Sequence, residues 1–281
     1  MSAPLVFLNR RFIPENEAGV SVFDRGLLYG DGLFETVRVY DGKFFRLRAH
    51  IRRMYEGLKI LGIKPPFTQE EMEIFTRELA ITNRVEKGFA RLVITRGEGI
   101  LGFSPRGSVT PHVAICVRQR TVAMRAKEIW SLRIHPHLIS PIPLKSLSYL
   151  PHVLAKKEAE EAGFDDAILL NLKNEVVECS GSNLFLWEDS KLITPSLASG
   201  CLPGITRAEI IKVARQEGHH VIEKTVKPND LHRADGIFLS NSLMEIVPAR
   251  IGKKKGMDSE TLSLMYELEA SFAYHRITSL R

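Results

Sequence analysis

The sequence predicts an α+β protein of two domains. Strand-like and helix-like stretches mix without a regular βαβ alternation. The 281 residues, 44% hydrophobic and 26% charged, suffice for two hydrophobic cores. A polar stretch, Arg118-Gln119-Arg120-Thr121, follows a run of strands and reads as a linker. The expected division is a smaller N-terminal α/β domain over 1–117, a linker over 118–125, and a larger C-terminal α+β domain over 126–281 that carries Lys145.

In chain order, residues 5–9 and 32–40 read as strands, and Asp41-Gly42-Lys43 turns the second into 44–47. Leu47, Ile51, Met54, Leu58 and Leu61 recur at helical spacing, and Gly62 with Pro65-Pro66 ends that helix. Thr68-Gln69-Glu70-Glu71 is a capping box opening a second helix, with Met72, Phe75 and Leu79 on one face. Strands at 89–95 and 112–117 flank a Gly-rich loop. A helix is expected over 147–162, then strands at 166–170, 176–178 and 184–187. A helix over 206–216, a strand at 221–223 and a helix from about Ser259 complete the chain.

Composition narrows the function. The formal net charge is +6, but the basic residues are dispersed and not interleaved with stacking aromatics, so no nucleic-acid partner is expected. No apolar run reaches the roughly 18 residues needed to cross a bilayer, and no membrane partner is expected. Met1 to Phe7 does not read as a secretory signal, and three cysteines without Cys-x-x-Cys spacing do not suggest a disulfide framework. The expected location is cytoplasmic. His135-Pro136-His137 lacks companion ligands, so no metal is expected. Gly97-Glu98-Gly99 opens no helix, and Gly-x-Ser-x-Gly does not occur.

Three short stretches carry chemistry in order along the chain. Lys145 stands between Leu144 and Leu147, before a helix whose face carries Leu147, Leu150 and Leu154. That flanking is expected to desolvate the amine and favour the free base that attacks an aldehyde. Glu178 follows Val176-Val177 and leads into Ser180-Gly181-Ser182-Asn183, a carboxylate suited to a pyridine nitrogen. Gly204-Ile205-Thr206 opens a helix whose first N–H groups, with the Thr206 hydroxyl, suit a phosphate. Arg53 could add a bidentate contact to that phosphate and Ser242 a hydroxyl, with His50 a structural hydrogen-bonder beside Arg53. An amine, a ring-nitrogen partner and a phosphate cradle are the parts needed to hold pyridoxal 5′-phosphate.

Together with Asp24-Arg25-Gly26-Leu27-Leu28-Tyr29-Gly30-Asp31-Gly32-Leu33-Phe34-Glu35 and His50-Ile51-Arg52-Arg53, these stretches resemble the fold type IV pyridoxal-phosphate enzymes. That family holds branched-chain and D-amino-acid aminotransferases and aminodeoxychorismate lyases, and the resemblance runs from about Leu5 to Gly252. It implies a homodimer and a transamination between an α-amino acid and a 2-oxo acid. Lys145 and Glu178 would be catalytic. The cofactor would be held by Arg53, Lys145, Tyr149, Glu178, Ser182, Asn183, Gly204, Ile205, Thr206 and Ser242, and the substrate by Phe34 and Arg91. Glu35 and Glu245-Ile246-Val247-Pro248 resemble the aminotransferases. Thr36 and Asn241-Ser242-Leu243-Met244 resemble the lyases, which release pyruvate, and in that alternative Thr36 assists the proton transfer. Phe89 replaces a tyrosine of the branched-chain enzymes, Tyr149 sits one residue nearer the lysine than theirs, and Pro105-Arg106-Gly107-Ser108 lacks the histidine of the D-alanine carboxylate trap.

Overall fold

The structure, a computed structural model, describes residues 3–107, 110–120, 129–139, 142–252, 257 and 259–280. They divide into two compact units. One holds the described residues up to 120 together with Leu144–Tyr149, and the other holds 129–139, 142–143 and 150–279 among its described residues.

The first unit runs β1 (Leu5–Leu8), β2 (Arg11–Pro14), a 3₁₀ turn, α1 (Arg25–Tyr29), β3 (Gly32–Tyr40), β4 (Lys43–Phe44), α2 (Leu47–Leu61), α3 (Gln69–Thr82), β5 (Gly88–Thr95) and β6 (His112–Gln119). Its strands form one antiparallel sheet in the order β2-β1-β6-β5-β3-β4. The apolar stripe of α2 buries Leu47, Ile51, Met54 and Leu58 against Val37, Leu92 and Ile115 of the sheet. Gly62 ends α2 in the left-handed region, at φ 65°, where a side chain would be strained. The Thr68–Glu71 capping box is formed in both directions and starts α3.

Two sequence expectations change here. Arg118 and Gln119 lie inside β6, paired to Phe89 and Gly88, so the chain is still sheet where a linker was expected; residues 121–125 of that linker fall outside the described residues. Leu144–Tyr149, expected in the second domain, belongs to the first unit because its backbone pairs with β3. Leu33 bridges Ser146, the Phe34 N–H donates to the Lys145 carbonyl at 2.9 Å, and the Leu147 N–H donates to the Gly32 carbonyl at 3.0 Å.

The second unit runs β7 (Trp130–Ile139), α4 (Leu150–Glu161), β8 (Asp166–Asn171), β9 (Val176–Cys179), β10 (Asn183–Glu188), β11 (Lys191–Pro195), α5 (Ile205–Gln216), β12 (His220–Lys224), α6 (Pro228–Arg233), β13 (Gly236–Asn241), β14 (Glu245–Ile251) and α7 (Ser259–Ser279). Its sheet order is β12-β11-β10-β13-β14-β7-β8-β9, parallel at β12/β11, β14/β7 and β7/β8 and otherwise antiparallel. The core gathers Leu132, Ile168, Leu184, Leu239 and Val247. Ala155 and Ala159 of α4 pack on Ala167 and Leu169 of β8, small against medium. Helix α4 begins at Leu150 rather than 147, because Ser146 and Leu147 are committed to β3. Pro151 then fits its first turn, where no N–H is required.

Candidate active site

Side-chain alternation along β3 separates two environments. Thr36 pairs with Arg91 of β5, so Thr36, its i−2 neighbour Phe34 and Arg91 share one face of the sheet. Leu33, Glu35 and Val37 point to the other face, beneath α2. Glu35 is therefore a fully buried acid, and α2 answers it with two residues three apart on one helix face. The His50 Nδ1 lies 2.8 Å from Oε2, and Arg53 donates from Nε to Oε1 at 2.8 Å and from Nη2 to Oε2 at 2.7 Å. Burial opposes the charge, but the Arg53 guanidinium and the His50 hydrogen bond outweigh it and bring the Glu35 carboxyl down to about 2. Burial pushes the His50 imidazole below its usual range, and because the Glu35 carboxylate can only accept, Nδ1 is the donor of this bond.

Moving a carboxyl from 4.5 to about 2 corresponds to on the order of 3 kcal/mol of native-state stability. Because the folded value is the lower one, that contribution is present in full above about pH 4.5 and is lost as the pH falls towards 2. Urea unfolding at pH 6, 4 and 3 is expected to show this loss in the wild type. Glu35→Gln should be less stable at pH 6 and flatter below it; equal slopes for the two proteins would refute the assignment.

On the open face, the Arg91 guanidinium carbon stands 4.4 Å from the Phe34 ring centroid, and burial lowers the Arg91 pKa from its ordinary value. The Phe34 and Tyr149 rings meet edge to face at 5.1 Å. The Lys145 Nζ lies over both, 4.7 Å from Phe34 and 5.6 Å from Tyr149. Of the leucines expected beside it, Leu144 and Leu147 are half-buried. Leu150 and Leu154 are 65% and 46% exposed, and the amine rests on aromatic faces. The first unit thus brings together Phe34, Thr36, Arg91, Lys145 and Tyr149, with Glu35 on the opposite face of β3 and Arg53 reaching it from α2.

The second unit brings together the remaining predicted residues. Glu178 is the penultimate residue of β9, and its Oε2 accepts from the Asn183 Nδ2 and the Leu202 N–H, both at 3.1 Å. The Asn183 amide also donates to the Leu202 carbonyl at 2.9 Å, so one carboxamide ties the acid to the segment entering α5. The Cys179 N–H closes the intervening turn onto the Ser182 carbonyl, and the Ser180 hydroxyl donates to the buried Asp166 carboxylate. Asn241 caps the β13–β14 turn through the N–H groups of Leu243 and Met244 and donates to the Gly181 carbonyl, which places Ser242 beside that turn.

Sequence reasoning missed His152. It lies in the first turn of α4 with its Nε2 3.9 Å from the Glu178 Oε1, and no motif marks it. The Leu202 N–H was missed as well, since a backbone donor leaves no trace in residue identity.

The donor set suits pyridoxal phosphate. The N-cap of α5 is Gly204, with no side-chain cap on the N–H groups that follow. The Ser182 and Ser240 hydroxyls are buried and have no hydrogen-bond partner among the described residues. Ser240 pairs across the sheet with Asn183, the residue that holds Glu178. A Cβ at 204 would lie 2.0 Å from the Asn183 Oδ1, so only glycine lets the helix start approach this carboxamide. Gly204→Ala is expected to displace Asn183 and weaken cofactor affinity by about tenfold, the cost of disturbing one buried hydrogen-bonded group. A fluorescence titration against apoprotein checks this, and an unchanged affinity would remove Asn183 from the cradle.

Residues 32–251 match the family model for amino-transferase class IV. A protein of Methanocaldococcus jannaschii with the provisional name branched-chain-amino-acid aminotransferase is 42% identical over 248 residues, 86% of each chain. A D-alanine aminotransferase of Listeria monocytogenes is 32% identical over 252 residues, again 86% of each. Among solved structures, the branched-chain aminotransferase of Thermoproteus uzoniensis with norvaline superposes with a TM-score of 0.88 at 29% identity, covering 97% of this chain and 96% of that one.

Proposed function

The chain belongs to the class IV aminotransferases, pyridoxal-phosphate enzymes of fold type IV, and from that premise we propose that its amino donor is a branched-chain L-amino acid and its acceptor a 2-oxo acid. The observation that carries the reading is Arg91. It is a half-buried guanidinium of β5 on the sheet face that also carries Phe34, over whose ring the Lys145 amine lies, a cation and an apolar ring suited to a carboxylate with an aliphatic side chain. The 42% identical relative supports the branched-chain donor. So does the missing histidine after Pro105-Arg106-Gly107, which the D-alanine carboxylate trap would need.

Bound pyridoxal phosphate supplies a conjugated ring that takes up the electron pair of the substrate's Cα–H bond. Lys145 would hold it covalently through Nζ, give way to the substrate amine, and then accept the α-proton at Nζ and return it. Glu178 would accept a hydrogen bond from the ring nitrogen at Oε1 and keep that nitrogen protonated. The N–H groups of Ile205 and Thr206, the hydroxyls of Thr206 and Ser242, and Arg53 would hold the phosphate. Gly204, Ser182 and Asn183 would shape that cradle, Tyr149 would flank the lysine, and Phe34 would line the substrate side.

The assembly proposed is a homodimer. Ile100, Leu101 and Phe103 are 71%, 67% and 91% exposed on one loop, an apolar face that a second copy would cover. Light scattering on the purified protein tests it. No helix among the described residues is long and apolar enough to cross a membrane, and a cytoplasmic location is proposed.

A paired assay tests the function. Leucine, isoleucine, valine, their D-enantiomers and D-alanine are offered singly to loaded protein, and the spectral change of the cofactor is followed. Aminodeoxychorismate is offered separately, and pyruvate is measured. Response to the L-branched set is expected. Response to D-alanine alone, or pyruvate release, would overturn the substrate assignment, and the second outcome would move attention to Thr36.

A further inference from the structure

The Lys145 side chain ends in an aromatic corner that paired backbone holds in place. Phe34 and Lys145 are joined by a main-chain hydrogen bond of 2.9 Å, Leu33 bridges Ser146, and the Leu147 N–H closes the segment onto Gly32. Tyr149 is carried on the same segment, and its ring meets Phe34 edge to face. The Nζ is therefore not placed by a mobile stem alone. Its root, and both rings it lies over, belong to one block of paired chain.

An aromatic face carries partial negative charge. It attracts an ammonium within about 6 Å and does little for a neutral amine. Both ring distances, 4.7 and 5.6 Å, fall inside that reach. The Phe34 ring also carries the Arg91 guanidinium at 4.4 Å, so one ring serves two cations on the substrate side of β3. Leucines at these positions would shelter an amine; these rings prefer it charged.

We propose that Phe34 and Tyr149 form a cage for the Lys145 ammonium, stabilising the lysine while its Nζ carries the proton taken from the substrate. The inference rests on the assignment of Lys145 as the cofactor's lysine and gives Phe34 a positioning role that acts through Lys145. The proton balance is simple. The Nζ lone pair takes the α-proton, the electron pair of the broken C–H bond stays with the substrate–cofactor system, and the same proton later leaves Nζ. No oxidant or reductant takes part. The cage lowers the energy of the middle state, in which a half-buried lysine is charged, and keeps Nζ in place to give the proton back.

The test uses apoprotein and cyanate, a small linear reagent that carbamylates only unprotonated amines. Carbamylation of Lys145 at neutral pH is followed by peptide mass spectrometry in wild type, Phe34→Leu, Phe34→Tyr and Tyr149→Leu, with circular dichroism to confirm folding. Phe34→Leu is expected to react roughly two- to thirty-fold faster, the span of a cation–π contact. Phe34→Tyr should match wild type, and Tyr149→Leu should show a smaller gain. An unchanged rate in both leucine variants, or Phe34→Tyr behaving like Phe34→Leu, would overturn the cage. If Phe34→Leu does not fold, Tyr149→Leu alone decides. Borohydride reduction of loaded wild type, followed by peptide mapping, separates the two levels. A label absent from Lys145 refutes the lysine assignment itself, whereas a label on Lys145 with unchanged carbamylation refutes only the cage.

Discussion

Lys145→Ala is expected to lower turnover by about 10⁴-fold or more, because it removes both the covalent anchor and the group that moves the proton. The fold should survive. The bonds that hold residues 145–147 to β3 are main-chain bonds, and alanine keeps all of them. The purified variant should melt within a few degrees of wild type and should release its cofactor on gel filtration. Adding methylamine should restore a small part of the activity, since an external amine can stand in for the missing base. A variant that stays within tenfold of wild type without added amine would mean that another group carries the proton.

Arg53→Ala is expected to be the most destabilising single change in the first unit. Glu35 is fully buried, and Arg53 donates two of the hydrogen bonds that keep its carboxylate charged. Removing one partner of a buried pair costs about 3–5 kcal/mol, because the remaining charge is left without compensation. For a chain of this size that corresponds to a fall in melting temperature on the order of 10 °C. The double variant Glu35→Gln with Arg53→Met should recover much of the loss, since it removes the charge and the cation together. If the double variant is as unstable as the two single losses added, the pair is not what holds the helix on the sheet. Cofactor affinity gives a second readout, and it should stay low in the double variant if Arg53 also reaches the phosphate.

Much of this site was legible because its residues sit where short-range rules operate. Gly62 after an apolar stripe and the Thr68–Glu71 box mark helix ends through local chemistry, and both are formed. Glu178, Asn183 and Gly204 are read from a strand end, a turn and a helix start. What joins them, one carboxamide spanning five residues to Glu178 and nineteen to Leu202, is a distance in space that spacing along the chain does not reveal. Glu35 was noticed only by resemblance, although period-two alternation puts it between the inward-facing Leu33 and Val37. An acid on the core face demands partners, and that was a usable signal for His50 and Arg53 as a buried pair. The aromatic surroundings of Lys145 are not legible from its sequence neighbours alone, because Phe34 lies more than a hundred residues away along the chain. Strands β11, β13 and β14 show no alternation in the sequence, because burial on both faces removes that pattern.

The return of residues 144–149 to β3 has a consequence for how the chain is made. During synthesis the ribosome releases residue 120 well before residue 147, so the Gly32 carbonyl and the Phe34 N–H wait at an open strand edge while the intervening chain emerges. The nascent N-terminal half is thus a template for any extended peptide, including its own later segment or that of a neighbouring polysome. A break placed between the two units would leave the same edge bare. Two fragments cut there would need to recombine, and the short piece around Lys145 would act as the clasp.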